Sequence, residues 1–241
     1  MLEEKILWEE HKSSNLVSAV IVAAGSSTRM GKDKIFLDIL GVPVVVRTME
    51  AFQKASTISE IIIVTREDSI EKIKTFAEQK SFTKVVSVVC GGNNRQASVT
   101  AGILETSGKI GYYCIHDGAR PLITPEMIDE VNRKAFTYGC AAVGVKLKDT
   151  IKSVDKDGMF SQTIDREYLY AVQTPQVFEA KKYQKALETA CRQGKSFTDD
   201  CQLLENIGEK IYMLNGSYDN IKITTPEDVA VAEAHIKSVE F

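Results

Sequence analysis

The chain has 241 residues, 44% hydrophobic and 26% charged, with a formal net charge of -3. This length and mix suit one sizeable α/β domain with a buried core, and the near-balanced charge speaks against nucleic-acid or membrane-surface binding. The five cysteines form no CxxC pair and the three histidines are scattered; neither a disulfide framework nor a structural zinc site is expected, and reduced thiols point to the cytoplasm.

The first residues, MLEEKILWEEHKSSN, carry acids where a signal peptide needs a basic stretch followed by an apolar run, so no secretory or transit signal is expected. Residues 1–14 read as an extension docked on a single domain, 15–241, with Leu2, Ile6 and Trp8 on one side of a short helix. No stretch approaches the roughly 20 apolar residues of a membrane-spanning helix.

From residue 17 the pattern turns regular. Short apolar runs rich in Val and Ile stand at 17–24, 61–64, 85–89, 112–115 and 140–145. Such runs read as strands buried on both faces. Helix-length segments separate them at 44–54, 69–79, 97–106 and 125–138, the last opened by Thr124 and Pro125 as N-cap and first-turn proline. Strand, helix and strand at about 25-residue spacing mark right-handed βαβ units in a mostly parallel sheet flanked by helices.

The rhythm breaks between 146 and 171. Two β-prone stretches flank a turn at Asp155-Lys156-Asp157-Gly158, a hairpin signal. Its polar character on both sides places it outside the core, as a protruding arm at about 147–170. A lone hairpin is marginally stable, so a partner subunit is the natural surface for it. Beyond it come a helix at 181–192, another at 199–205, a strand at 210–214 and a final helix at 226–237.

Three loops that follow strands carry candidate chemistry. The first, Ala23-Ala24-Gly25 and onward to Lys34, follows the first strand, where ligands bind in an open α/β sheet. Its small residues allow backbone amides to reach anionic oxygens, and Arg29 and Lys34 add two cations suited to a triphosphate; the alternative is a plain strand-to-helix turn with solvated basic residues. It lacks both the P-loop ending and GxGxxG. The second, Gly91-Gly92-Asn93-Asn94, opens a helix in which Ser98 faces the same place; the alternative is a plain turn with Asn as N-cap. The third, His116-Asp117-Gly118-Ala119-Arg120-Pro121, offers Asp117 to a ribose hydroxyl or to a phosphate-bound metal, and Arg120 to a substrate phosphate. A structural Asp117–Arg120 pair is the competing reading, and His116 reads as core. Thr150, Arg166, Thr174, Thr198 and Lys222 are further candidates. Lys222 stands between two isoleucines in a strand-like run, where its ammonium needs a partner.

The segments AAGxxxRM, GGxxRxxSV, HDGARP, KDTIK, TxDRxxLYAVQTPQ, TDD and DNIKxTxPEDxxxAE occur in this order. In them the chain resembles the 2-C-methyl-D-erythritol 4-phosphate cytidylyltransferase family, roughly from Ala19 to His235. The resemblance implies a Rossmann-like nucleotidyltransferase fold and a homodimer whose exchanged β-hairpin arms complete each other's site. It implies that Arg29 and Lys34 stabilise the transition state, and that Ala23, Ala24, Gly25, Gly92, Asn93, Ser98 and Asp117 contact CTP. Arg120, Thr150, Arg166, Thr198 and Lys222 would contact the acceptor, Arg166 and Lys222 aiming its phosphate. Asn93 and Asn94 depart from the Asp and Glu common in that family. The implied reaction is direct attack of the acceptor phosphate on the α-phosphorus of CTP, with Mg²⁺ on the triphosphate and no metal held by protein ligands alone. Ribitol 5-phosphate is the alternative acceptor.

Overall fold

The computed structural model describes residues 15–25 and 33–239; the extension at 1–14 and the segment 26–32 lie outside them. In chain order the elements are β1 (Val17–Val22), β2 (Asp38–Ile39), β3 (Val42–Pro43), α1 (Val44–Lys54), β4 (Ile58–Thr65), α2 (Ile70–Gln79), β5 (Val85–Cys90), α3 (Arg95–Leu104) and β6 (Tyr112–Asp117). There follow α4 (Pro125–Tyr138), β7 (Cys140–Lys146), β8 (Ile151–Val154), β9 (Phe160–Ile164), β10 (Tyr170–Glu179), α5 (Ala180–Arg192), α6 (Asp200–Glu205), β11 (Tyr212–Asn215) and α7 (Pro226–Val239).

Seven strands form one sheet in the order β11-β7-β10-β6-β1-β4-β5. All neighbours pair parallel except β10, which runs antiparallel to both β6 and β7. The expected α/β fold with a mostly parallel sheet is therefore present. Successive strand residues point to opposite faces, and this sorts the core in two. On one face Val17, Ala19 and Ile21 of β1 and Ile61 and Ile63 of β4 pack against Val45 and Met49 of α1 and Ile128 and Val131 of α4. On the other, Val20, Ile62 and Val64 meet Val99 and Ile103 of α3, Tyr183 of α5 and Leu204 of α6. Each Val, Ile, Leu or Met among them that is removed from water contributes about 1.5–3 kcal/mol.

Two sequence readings need correction here. The run at 85–89 is not buried on both faces: β5 is an edge strand, and Val86 is 57% exposed. Strand β10 had no counterpart in the periodicity, because Gln173, Thr174, Pro175 and Gln176 interrupt its apolar pattern. Those three polar residues are buried and tied into the fold, and the register against β7 breaks between Val172 and Gln176.

The hairpin expected at 147–170 is present. β8 and β9 pair only with each other, antiparallel, across a turn in which Asp155 Oδ1 accepts from the Asp157 and Met159 amides. Most of its residues are exposed, including the apolar Val154, Met159, Phe160 and Tyr168.

Candidate active site

The strand order reverses about β1. The chain passes from β1 to β4 and β5 on one side, then returns to β6 on the other. A crevice outside the carboxyl ends of the strands opens at such a switch point. The ladder extends past the strand ends to hold the loops in place: Ala23 N donates to Val64 O at 2.7 Å, Gly91 N to Thr65 O at 2.7 Å, and Gly118 N to Val22 O at 2.8 Å.

Here lies a cavity of about 430 Å³. It gathers Ala23, Ala24, Gly25, Lys34, Gly92, Asn93, Ser98, Asp117 and Lys222, drawn from five separate stretches of sequence. Arg29 lies outside the described residues. Arg120, Thr150, Arg166 and Thr198 do not line the cavity.

The Gly91–Gly92 turn is built for close approach. A Cβ on Gly91 would stand 2.5 Å from Ala24 Cβ, and one on Gly92 would stand 2.5 Å from Ala97 Cβ and 3.1 Å from the Ala97 backbone carbon. Only glycine lets the loop after β1 and the start of α3 meet this closely. Asn94 caps α3, its Oδ1 accepting from Ala97 N at 2.8 Å, as the plain-turn alternative proposed. The Ser98 hydroxyl accepts from Gly92 N at 3.1 Å and donates to Asn94 O at 2.9 Å. It borders the cavity while shaping the glycine turn.

Asp117, at the end of β6, is the hub. Lys222 Nζ lies 2.7 Å from its Oδ2, Arg120 Nε 3.8 Å from the same atom, and Arg95 Nε 3.8 Å from Oδ1. Burial works to raise the Asp117 pKa, but these cations, Lys222 foremost, bring it down to about 2. The carboxylate therefore stays ionised at any physiological pH. Behind it, Thr174 Oγ1 accepts from the Asp117 amide at 3.0 Å and lies 3.1 Å from His116 Nδ1. Burial lowers the His116 pKa to about 3, so the ring is neutral and belongs to the core, as the sequence suggested.

Lys222 is not in a strand. It sits on an extended loop between β11 and α7. Two bonds lay that loop along the turn after β6, Arg120 Nη1 donating to Asn220 O at 2.7 Å and Ile223 N to Ala119 O at 2.8 Å, and a third ties it to β10, Asn220 Nδ2 donating to Thr174 O at 3.0 Å. Ile223, fully buried with Ile39, Val44 and Ala232, anchors it. The isoleucines thus fix the loop, and Asp117 is the partner that the ammonium required. Arg120 serves the same arrangement, so the structural-pair reading of Asp117 and Arg120 holds in part.

Thr150 and Arg166 sit exposed on the arm, where Arg166 donates to the Lys148 carbonyl at its base. Thr198 is exposed just ahead of α6. The sequence reading missed Arg95, which lines the cavity and pairs with Asp200. A signal was present: a guanidinium in the first turn of a helix opposes the helix dipole and calls for anionic partners.

The sequence profile of the family described as 2-C-methyl-D-erythritol 4-phosphate cytidylyltransferase matches residues 17–238. A protein of that name from Caldanaerobacter subterraneus is 46% identical over 224 residues, covering 92% of this chain and 99% of its own. Another from Dehalococcoides mccartyi is 44% identical over 222 residues, covering 92% and 96%. The crystal structure of 4-diphosphocytidyl-2C-methyl-D-erythritol synthase from Anaerococcus prevotii superposes with a TM-score of 0.83 at 31% identity, covering 92% of this chain and 96% of the other. With switch-point cavity, ionised hub and profile in agreement, the chain belongs to the 2-C-methyl-D-erythritol 4-phosphate cytidylyltransferase family.

Proposed function

We propose that this protein transfers CMP from CTP to 2-C-methyl-D-erythritol 4-phosphate, releasing pyrophosphate, as a step in isoprenoid precursor synthesis. The observation that carries the reading is the placement of Lys34, Lys222 and Asp117 around one switch-point cavity. Two anions must meet in this reaction, so the protein's task is alignment and charge neutralisation. An oxygen of the acceptor phosphate attacks the α-phosphorus, the bond to the bridging oxygen breaks, and pyrophosphate leaves with the electron pair. Lys34, together with Arg29, neutralises charge that grows on the α-phosphate. Lys222 orients the attacking phosphate. The Gly92 and Asn93 turn and the small residues 23–25 receive the nucleotide, and Asp117 faces its ribose and phosphates.

Mg²⁺ fits this chain as a guest of the triphosphate. Asp117 is the one carboxylate among the lining residues, and no cluster of three metal-ligating side chains occurs among the described residues. One carboxylate plus substrate phosphates is the usual holding set for this ion, and Asp117 is the residue that would supply it. When bound, Mg²⁺ would neutralise the triphosphate.

The working unit we propose is a homodimer in the cytoplasm. The arm exposes Met159, Phe160 and Tyr168, and Thr150 and Arg166 stand away from their own chain's cavity lining. Both features suit an arm that delivers these residues to a neighbouring subunit. All five cysteines are free, in keeping with a reducing compartment.

The test is pyrophosphate release with CTP or UTP, Mg²⁺, and either methylerythritol 4-phosphate or ribitol 5-phosphate. Release with CTP and methylerythritol 4-phosphate, with UTP poorly used, is expected, because amide groups fixed on the cytosine edge meet opposite polarity in uracil. Faster release with ribitol 5-phosphate, or none with either acceptor, would overturn the reading.

A further inference from the structure

Thr198 is exposed, yet the residues around it are pinned from three sides. Phe197 N donates to Gln96 Oε1 at 2.9 Å, so α3 holds the residue before it. Asp199 Oδ1 accepts from Gln176 Nε2 at 2.7 Å, so β10 holds the residue after it. Asp200, fully buried, takes the Arg95 guanidinium on Oδ2 and the Tyr183 hydroxyl on Oδ1, the latter at 2.7 Å. Arg95 is thus a bridge. Its Nη1 holds the segment that carries Thr198, while its Nε faces Asp117 at the nucleotide cavity. Burial works to lower the Arg95 pKa, but the Asp200 and Asp117 carboxylates raise it on balance, so the guanidinium brings a permanent positive charge to both links.

We propose that Arg95 is a positioning residue: it sets the Thr198 segment relative to Asp117, and so fixes where the acceptor sits against the nucleotide. The inference rests on Thr198 as an acceptor contact and Asp117 as a nucleotide contact. Lysine cannot replace the group, because a point charge cannot span two carboxylates as a planar fork does. A displaced Thr198 degrades the approach of the acceptor, and misplacement of about 1 Å is enough to cost roughly 100-fold in rate.

The experiment uses the full chain and measures acceptor KM, kcat and CTP binding for Arg95→Gln, Asp200→Asn, Thr198→Ala and the double variant Arg95→Gln/Thr198→Ala. Thermal melts identify any variant that fails to fold, and Arg95→Lys replaces Arg95→Gln in that case. Arg95→Gln and Asp200→Asn are expected to raise acceptor KM or lower kcat by roughly 10- to 100-fold, and in Asp200→Asn, whose carboxylate does not line the cavity, CTP dissociation should change less than about threefold. In the Thr198→Ala background Arg95→Gln should add less than about threefold, because the two act through one contact. Full additivity, or an Arg95 effect confined to CTP binding, overturns the proposal. An unchanged acceptor KM in Thr198→Ala instead removes the site reading beneath it, and the two failures are told apart by that single variant.

Discussion

Lys222 Nζ rests 2.7 Å from Asp117 Oδ2, joining the loop after β11 to the end of β6 across the cavity. In the proposed division of the site the pair joins an acceptor-side cation to a nucleotide-side anion, and Lys222 is still 40% exposed on its side chain. It is held in place yet open to a ligand. Lys222→Ala should therefore raise acceptor KM, lower kcat, or both, while CTP binding is largely kept. Lys222 is also the strongest of the groups that depress the Asp117 pKa, which stands near 2. Its removal moves that pKa upward, so the acid limb of kcat/KM should shift to higher pH. Loss of CTP binding with acceptor affinity intact would show that the two halves of the site are assigned the wrong way round.

Lys34 opens a short helical turn at the cavity rim and is half-buried there. Lys34→Ala should lower kcat by about 10²–10³, the cost of removing one donor from a developing oxyanion. A thermal melt should still show a cooperatively folded protein, since the substitution removes no apolar core side chain. A kcat within a few-fold of the parent, measured by pyrophosphate release, would remove Lys34 from the chemistry.

Asp129 offers a stability test remote from the site. Its carboxylate accepts from the amides and hydroxyls of both Ser56 and Thr57, at 2.6–3.1 Å, and so fastens α4 to the turn before β4. Burial tends to raise its pKa, but the bonds from Ser56 and Thr57 leave it lowered. A depressed folded-state pKa means stability that is complete above the unfolded value and lost as pH falls through the folded one. Asp129→Asn should cost about 1.5–3 kcal/mol at pH 7 by urea unfolding. The gap to the parent should narrow below about pH 4, where the unfolded carboxyl begins to protonate. A gap that is constant with pH would mean that the charge contributes nothing.

The arm can be tested by complementation. Lys34→Ala and Arg166→Ala are each expected to be nearly inactive. If Arg166 serves the partner's cavity, a mixed dimer has one site with both defects and one with neither. Refolding an equal mixture should then restore about a quarter of all sites, given random pairing in a two-fold dimer. Mixed dimers verified by two different tags but lacking recovered activity would show that each arm serves its own subunit.

The strands β1, β4, β6 and β7 were legible because burial on both faces leaves a continuous apolar run, and that signal is local. The hairpin was legible for an equally local reason: its turn residues stand together. The three cavity loops could be read because each directly follows a strand, and ligands in an open α/β sheet bind at the carboxyl ends of strands. Strand β10 was not legible. Its buried Gln173, Thr174 and Gln176 hydrogen-bond to Ser217, Asp117, Asn220 and Asp199, none of which a local pattern can supply. The same holds for Lys222 and Arg95. A sequence shows that a lysine among isoleucines, or an arginine opening a helix, needs an anion; it does not show which one. Only the sheet order, which sets β6 beside both β1 and β10 and brings the loop after β11 along the turn after β6, put Asp117 within reach of both. Sequence determined the elements and the kinds of chemistry they carry, because those depend on neighbours along the chain. The tertiary structure decided the pairings, because electrostatic partners are chosen by distance in space.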